Sequence, residues 1–121
     1  MDKASLQKYL ARQEQKRQKI LDSFSRGKAA YDLATLAMDH SSKSAEAAAR
    51  LLLSMEFDKP FNFKFLLRFD VENRAKADLL MAGYRTHDLW PSDWMYKEAI
   101  DGREIMGKVR NKWHSVLEES H

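Results

Sequence analysis

The sequence predicts an all-α fold, a compact bundle of about five to seven helices with a basic helical arm at its N-terminus. Three observations lead there. Apolar residues recur at steps of three and four along most of the chain. Ser44, Asp70 and Asp101 stand where helix N-caps are needed. The one strand-like alternation, Phe61-Asn62-Phe63-Lys64-Phe65, has no second strand to pair with.

Residues 4–26 contain no Gly or Pro and are rich in Gln, Lys, Arg, Leu and Ala, all good helix formers. Leu6, Leu10, Gln13, Arg17, Ile20 and Phe24 share one face, apolar at both ends and polar in the middle. Such a face suits a short amphipathic arm or a coiled-coil seam with a polar layer. The stepping continues through Gly27, Tyr31, Ala34 and Met38, so one helix over 4–39 competes with two. The Ser25-Arg26-Gly27 cluster favours a break. The division is then a basic arm, 1–27, and a helical core domain, 28–121.

A second helix is predicted over 28–39, then a polar turn at His40–Ser44, then a third helix over 45–57. Leu51-Leu52-Leu53 covers too much of that helix's circumference for an exposed element, so it is read as central. A short helix capped by Asn62 is expected at 62–69, in preference to a strand. Asp70 caps the next helix, which should end before Gly83. Residues 84–92 read as a loop, 92–99 as a short helix carrying Trp94, and 102–118 as a final helix behind an Asp101–Glu104 capping box. Leu52, Leu66, Leu79 and Trp113 are the expected core, and Phe61, Phe63, Phe65 and Phe69 are expected to join it.

A chain of 121 residues, 44% of them hydrophobic, is long enough to bury one core without staples. It has no cysteine, which removes disulfides, thiolate nucleophiles and Cys-based metal sites. Met1–Leu6 has no apolar core of a secretory signal, and the apolar runs are far shorter than the roughly 20 residues needed to span a bilayer. A cytoplasmic protein with no membrane partner is the expectation.

No catalytic constellation is recognisable. Gly27, Gly83, Gly102 and Gly107 form no phosphate-binding loop, and His40, His87, His114 and His121 have no metal-ligand spacing. Asp70, Glu72 and Asp78 read as a cap, a charge complementing the helix dipole and a solvated face. No enzyme, metal or cofactor is expected.

Charge is the more informative signal. Residues 1–28 carry eight basic and three acidic side chains, a net of +5, whereas the whole chain carries +3. Residues 29–58 run at −3. Lys8, Arg12, Lys16, Arg17 and Lys19 are therefore the candidate contacts of an electrostatic arm for an acidic protein or nucleic acid, against the plainer reading of a docked helix with a solvated basic face. Arg17 at the centre of the apolar face is expected to be exposed or to meet carboxylates, from residues 29–58 or from a partner. Tyr84, Trp90, Trp94 and Tyr96 form a second group. Packing as a lid on the core is its first expected role; partner binding by Trp90 and Trp94 is the other.

The run Ala-Tyr-Asp-Leu-Ala-Thr-Leu-Ala, a polar turn, Ala-Ala-Arg-Leu-Leu-Leu-Ser and Pro-Phe-Asn-Phe-Lys-Phe-Leu-Leu-Arg-Phe-Asp lies within residues 29–84. It resembles a group of small uncharacterised helical proteins of proteobacterial plasmids, integrative elements and phages. In that group a leucine-rich helix is followed by a Phe-Asp-Leu-type cap, where this chain has Asn62. The resemblance implies an accessory protein of a mobile genetic element. Together these readings predict a non-enzymatic protein that binds another protein, for example to inhibit a host defence or transfer complex. The alternative is a small nucleic-acid-binding protein using the N-terminal helix, and that helix also offers a seam for a homo-oligomer.

Overall fold

The computed structural model describes residues 2–23, 25–87 and 90–119, and the side chains among them other than those of 18–23, 85–87 and 116–119. The described residues form α1 (Lys3–Ser23), α2 (Arg26–Asp39), α3 (Lys43–Phe57), a 3₁₀ helix (Phe63–Arg68), α4 (Val71–His87), α5 (Pro91–Lys97) and α6 (Gly102–Glu119), with no strand among them. The all-α bundle read from the periodicity is the fold.

α2 is the axis of the bundle, with α3, α4, α5 and α6 all packed against it. Its inner residues, Ala29, Ala30, Leu33, Ala34 and Ala37, are fully buried. Alanines keep the helix slim enough for four neighbours to approach, and the larger side chains of the neighbours fill the core. α3 supplies Leu51, Leu52 and Leu53, all buried as the run of three predicted. Each buried leucine contributes about 1.5–3 kcal/mol relative to an exposed one. Leu66 is buried too, and Leu79 and Trp113 are half-buried against the same cluster.

The caps follow short-range chemistry. The break between α1 and α2 falls at Ser25, whose hydroxyl accepts the Lys28 N–H at 3.1 Å. Asn62 accepts from Lys64 at 2.9 Å, Asp70 from Asn73 at 2.8 Å and Asp101 from Glu104 at 3.3 Å. α3 is capped by Ser42 rather than by the expected Ser44: Ser42 Oγ accepts the Ala45 N–H at 3.2 Å, and Ser44 lies inside the first turn.

Two expectations give way to tertiary packing. α4 does not end before Gly83 but runs to His87, so residues 84–87 of the expected loop are helical, and residues 88–89 lie outside the described part. Gly83 is not a terminator because the Arg26 side chain lies across it. Arg26 Nε donates to the Leu79 carbonyl at 3.1 Å, and there is no room for a Cβ at Gly83 beneath it. The phenylalanines do not all enter the core: Phe61, Phe65 and Phe69 are half-buried, whereas Phe63 is 71% exposed. A 3₁₀ helix has three residues per turn and lays one edge on α3. Leu66 is buried on that edge; Phe63 stands on the same edge one turn earlier, at the open start of the helix, and is exposed, as is Leu67 on another edge.

α5 is short, and its neighbours hold it. The Cβ missing from Gly27 of α2 would strike the Trp94 carbonyl, and that missing from Gly102 of α6 would strike the Ser92 backbone. These two glycines therefore let both helices come into backbone contact with α5. Glu56 of α3 reaches the first turn of α5, accepting from Ser92 N at 3.0 Å and Ser92 Oγ at 2.7 Å. At the other end of α2, α6 satisfies carbonyls that the helix leaves open. Lys112 Nζ donates to Met38 O at 3.0 Å and to His40 O, and Trp113 Nε1 donates to Ala37 O at 2.9 Å.

Candidate interaction surface

The surface is built on α1, which starts at a strong local cap. Asp2 Oδ1 accepts the Ser5 N–H at 2.7 Å, and this bond holds the Asp2 carboxyl below the usual carboxylate range. None of the described side chains of α1 is buried.

α1 lies parallel to α4. Arg17 meets Asp78, 61 residues away in sequence, and earlier along both helices Leu10, Gln13 and Glu14 line a cleft of 440 Å³ with Val71 and Arg74. The attachment is polar. Asp78 accepts from Arg17 Nη2 at 2.9 Å and Arg17 Nε at 3.3 Å, while its second oxygen accepts from Arg74 Nε at 3.1 Å. Glu14 adds a contact of 3.4 Å to Arg17. Hydrogen bonding to Asp78 raises the Arg17 pKa further above its ordinary value. Gln13 Oε1 is buried beside this clasp with no hydrogen-bond partner among the described residues.

Arg17 thus does meet a carboxylate, as expected, but the carboxylate is not in the acidic 29–58 segment. It is Asp78, expected from the sequence on a solvated face. The i, i+4 pair Arg74–Asp78 was visible in sequence. The approach of Arg17 was not, because nothing local links two helices so far apart in the chain.

The predicted contacts now separate by face. Lys8, Arg12 and Lys16 are exposed at i, i+4 spacing, with no ion pair among the described residues, and turn away from α4. Arg17 turns toward α4 and is occupied by Asp78. The side chains of Lys19 and Ile20, and all of Phe24, lie outside the described residues. Trp90 is 52% exposed. Trp94, expected beside it as a contact, is 3% exposed because α5 turns it into the core, so this structure does not present it to a partner. Of the same aromatic group, Tyr84 is half-buried and Tyr96 exposed.

Sequence reasoning also left out the uncovered apolar side chains. Leu6, Tyr9 and Leu10 of α1 are each about half exposed, and Val71 at the start of α4 is partly so. A second concavity of 370 Å³ lies between α3, the 3₁₀ helix and α4, where Met55, Phe61, Phe63, Met81 and Tyr84 are among the lining residues.

Elsewhere charge is paired across helices. The buried Lys76 of α4 reaches Asp32 of α2 at 3.3 Å and Glu72 at 3.6 Å. Glu46 accepts from Arg50 and Arg68, both at 2.9 Å, and both guanidiniums stack on Phe65. Burial works against ionisation of Glu46, but the two guanidinium hydrogen bonds outweigh it and hold the carboxyl below its ordinary value. Among the described residues no group of three His, Asp or Glu side chains is gathered as a metal site, and no helix is long and apolar enough to cross a membrane. No protein-family model, curated protein or solved structure matches the chain.

Proposed function

We propose that the chain is a non-catalytic helical accessory protein that acts by binding another protein through α1. The observation that carries this reading is the way α1 is held. Among the described side chains a polar clasp at Arg17 joins it to α4, while its preceding turns display half-exposed Leu6, Tyr9 and Leu10 and an exposed row of Lys8, Arg12 and Lys16. A helix kept only for stability would bury its apolar residues. Exposed apolar side chains beside charge are a common feature of binding surfaces. The resemblance of residues 29–84 implies an accessory protein of a mobile genetic element, and the target that reading suggests is a component of a host defence or transfer system.

The same basic row supports the second reading, a nucleic-acid-binding arm, since cations at helical spacing can track phosphates. Affinity capture from a proteobacterial host, with and without nuclease, separates the two. The protein reading expects a partner that survives nuclease and 200 mM salt, and that is lost when residues 1–24 are removed. The nucleic-acid reading expects affinity for a DNA duplex to fall by orders of magnitude between about 50 and 200 mM salt. Capture that is indifferent to removal of α1 sinks both.

A further inference from the structure

The apolar face of α1 continues past its own support. Arg17 lies at Asp78 and Leu10 shares a cleft with Val71, the first residue of α4. In that parallel register residues 3–9 extend beyond α4, about 10 Å of helix at about 1.5 Å per residue. Leu6, Tyr9 and Leu10 lie on the side that further along bears Gln13 and Arg17, so the overhang turns its apolar side toward the space beyond α4.

The edges of this face are charged unequally. Arg12 and Lys16 follow Tyr9 by three and seven residues on one edge, both exposed and without an ion pair among the described residues. The other edge carries Lys3 and Glu14, and Glu14 is drawn to Arg17. From this charge pattern we infer that the overhang receives an amphipathic helix of another protein, with its apolar side on Leu6, Tyr9 and Leu10 and carboxylates along the edge that meets Arg12 and Lys16. The inference rests on the protein-binding reading and names the chemistry of the partner. A DNA duplex is a poorer occupant, because it leaves the leucines unused.

The test uses the full chain and two labelled synthetic helices sharing a leucine face, one with glutamate flanks and one with lysine flanks. The glutamate peptide is expected to bind about tenfold or more tightly than its lysine twin, as complementary edges require. L6E/L10E should abolish binding without unfolding the protein, since both side chains already meet water. R12E/K16E should reverse the preference between the peptides, whereas R103E, an exposed reversal on α6, should leave it unchanged. No binding, equal binding, or a preference unmoved by R12E/K16E overturns the inference. So does a sedimenting dimer dispersed by L6E/L10E, which seats a second copy on the face, or a DNA duplex that displaces the glutamate peptide. A protein captured through α1 that the glutamate peptide fails to displace overturns the acidic-helix partner alone and leaves the protein-binding reading standing. Failure to capture any protein overturns that reading itself.

Discussion

α1 and α2 follow one another in the chain, both are free of proline, and they are held by opposite physics. α2 buries Ala29, Ala30, Leu33, Ala34 and Ala37 completely and touches four other helices. α1 buries none of its described side chains and is fixed to α4 through Asp78. The difference lies in the composition of the inward face. A face of alanine and leucine gains from leaving water and accepts close neighbours, whereas a face with Arg17 at its centre must find a carboxylate for it. An ordered helix need not belong to the core, and charge on a face need not be solvated.

The comparison breaks most visibly if a leucine of α1 behaves like a leucine of the core packed on α2. Leu52→Ala in α3 should cost about 2–5 kcal/mol, the range for deleting a buried leucine side chain. Leu10→Ala on α1 should cost less than about 0.5 kcal/mol, as surface changes usually do. Chemical denaturation of both variants decides it. Equal losses would place α1 in the core.

Glycine substitutions sharpen the contrast between close-packed and open helix faces. Gly27→Ala puts a methyl against the Trp94 carbonyl, and the overpacking should cost about 1–3 kcal/mol despite the better helix propensity of alanine. Gly107→Ala meets nothing within 4 Å and should stabilise by about 0.5–1 kcal/mol. Thermal melts of the two variants should move in opposite directions.

Removal of residues 1–24 should leave a cooperatively folding remainder, with a loss near the value of the clasp alone. A partly exposed ion cluster of this kind contributes about 1 kcal/mol. Asp78→Asn in the full chain should reproduce most of that loss. Unfolding of the truncated chain, seen by circular dichroism, would make α1 an integral core element.

The smallest expected effect belongs to Glu46, in the body of the bundle. Its folded-state pKa lies below the unfolded value, so its contribution is present above the unfolded pKa and is lost as pH falls through the folded one. Glu46→Gln should therefore cost about 0.5–1 kcal/mol at neutral pH and progressively less at acid pH as the folded-state carboxylate protonates. Denaturation curves at neutral and acid pH test this, and a cost independent of pH would show that the side chain acts by packing against Arg50 and Arg68.

Some features were legible in sequence because they depend on few neighbours. The helical period, the break at Ser25 and the caps at Asn62, Asp70 and Asp101 are short-range matters of side-chain oxygens and backbone N–H groups two or three residues apart. The buried run Leu51–Leu53 was legible because no exposed helix tolerates it. The basic row Lys8, Arg12 and Lys16 was visible as charge and spacing, and it is exposed as a row.

Other features only the tertiary structure decided. Gly83 stays helical because Arg26, from another helix, lies over it and bonds to Leu79 O. Trp90 and Trp94 are alike in sequence, and only the seating of α5 between Gly27, Gly102 and Glu56 turns one outward and the other into the core. Arg17 leaves the predicted contact set because Asp78 reaches it from 61 positions away. Local propensity sets which residues form helices and, through the caps, where they start. Which face of each helix is covered, and which cation is already taken, depends on helices that meet only once the chain has folded.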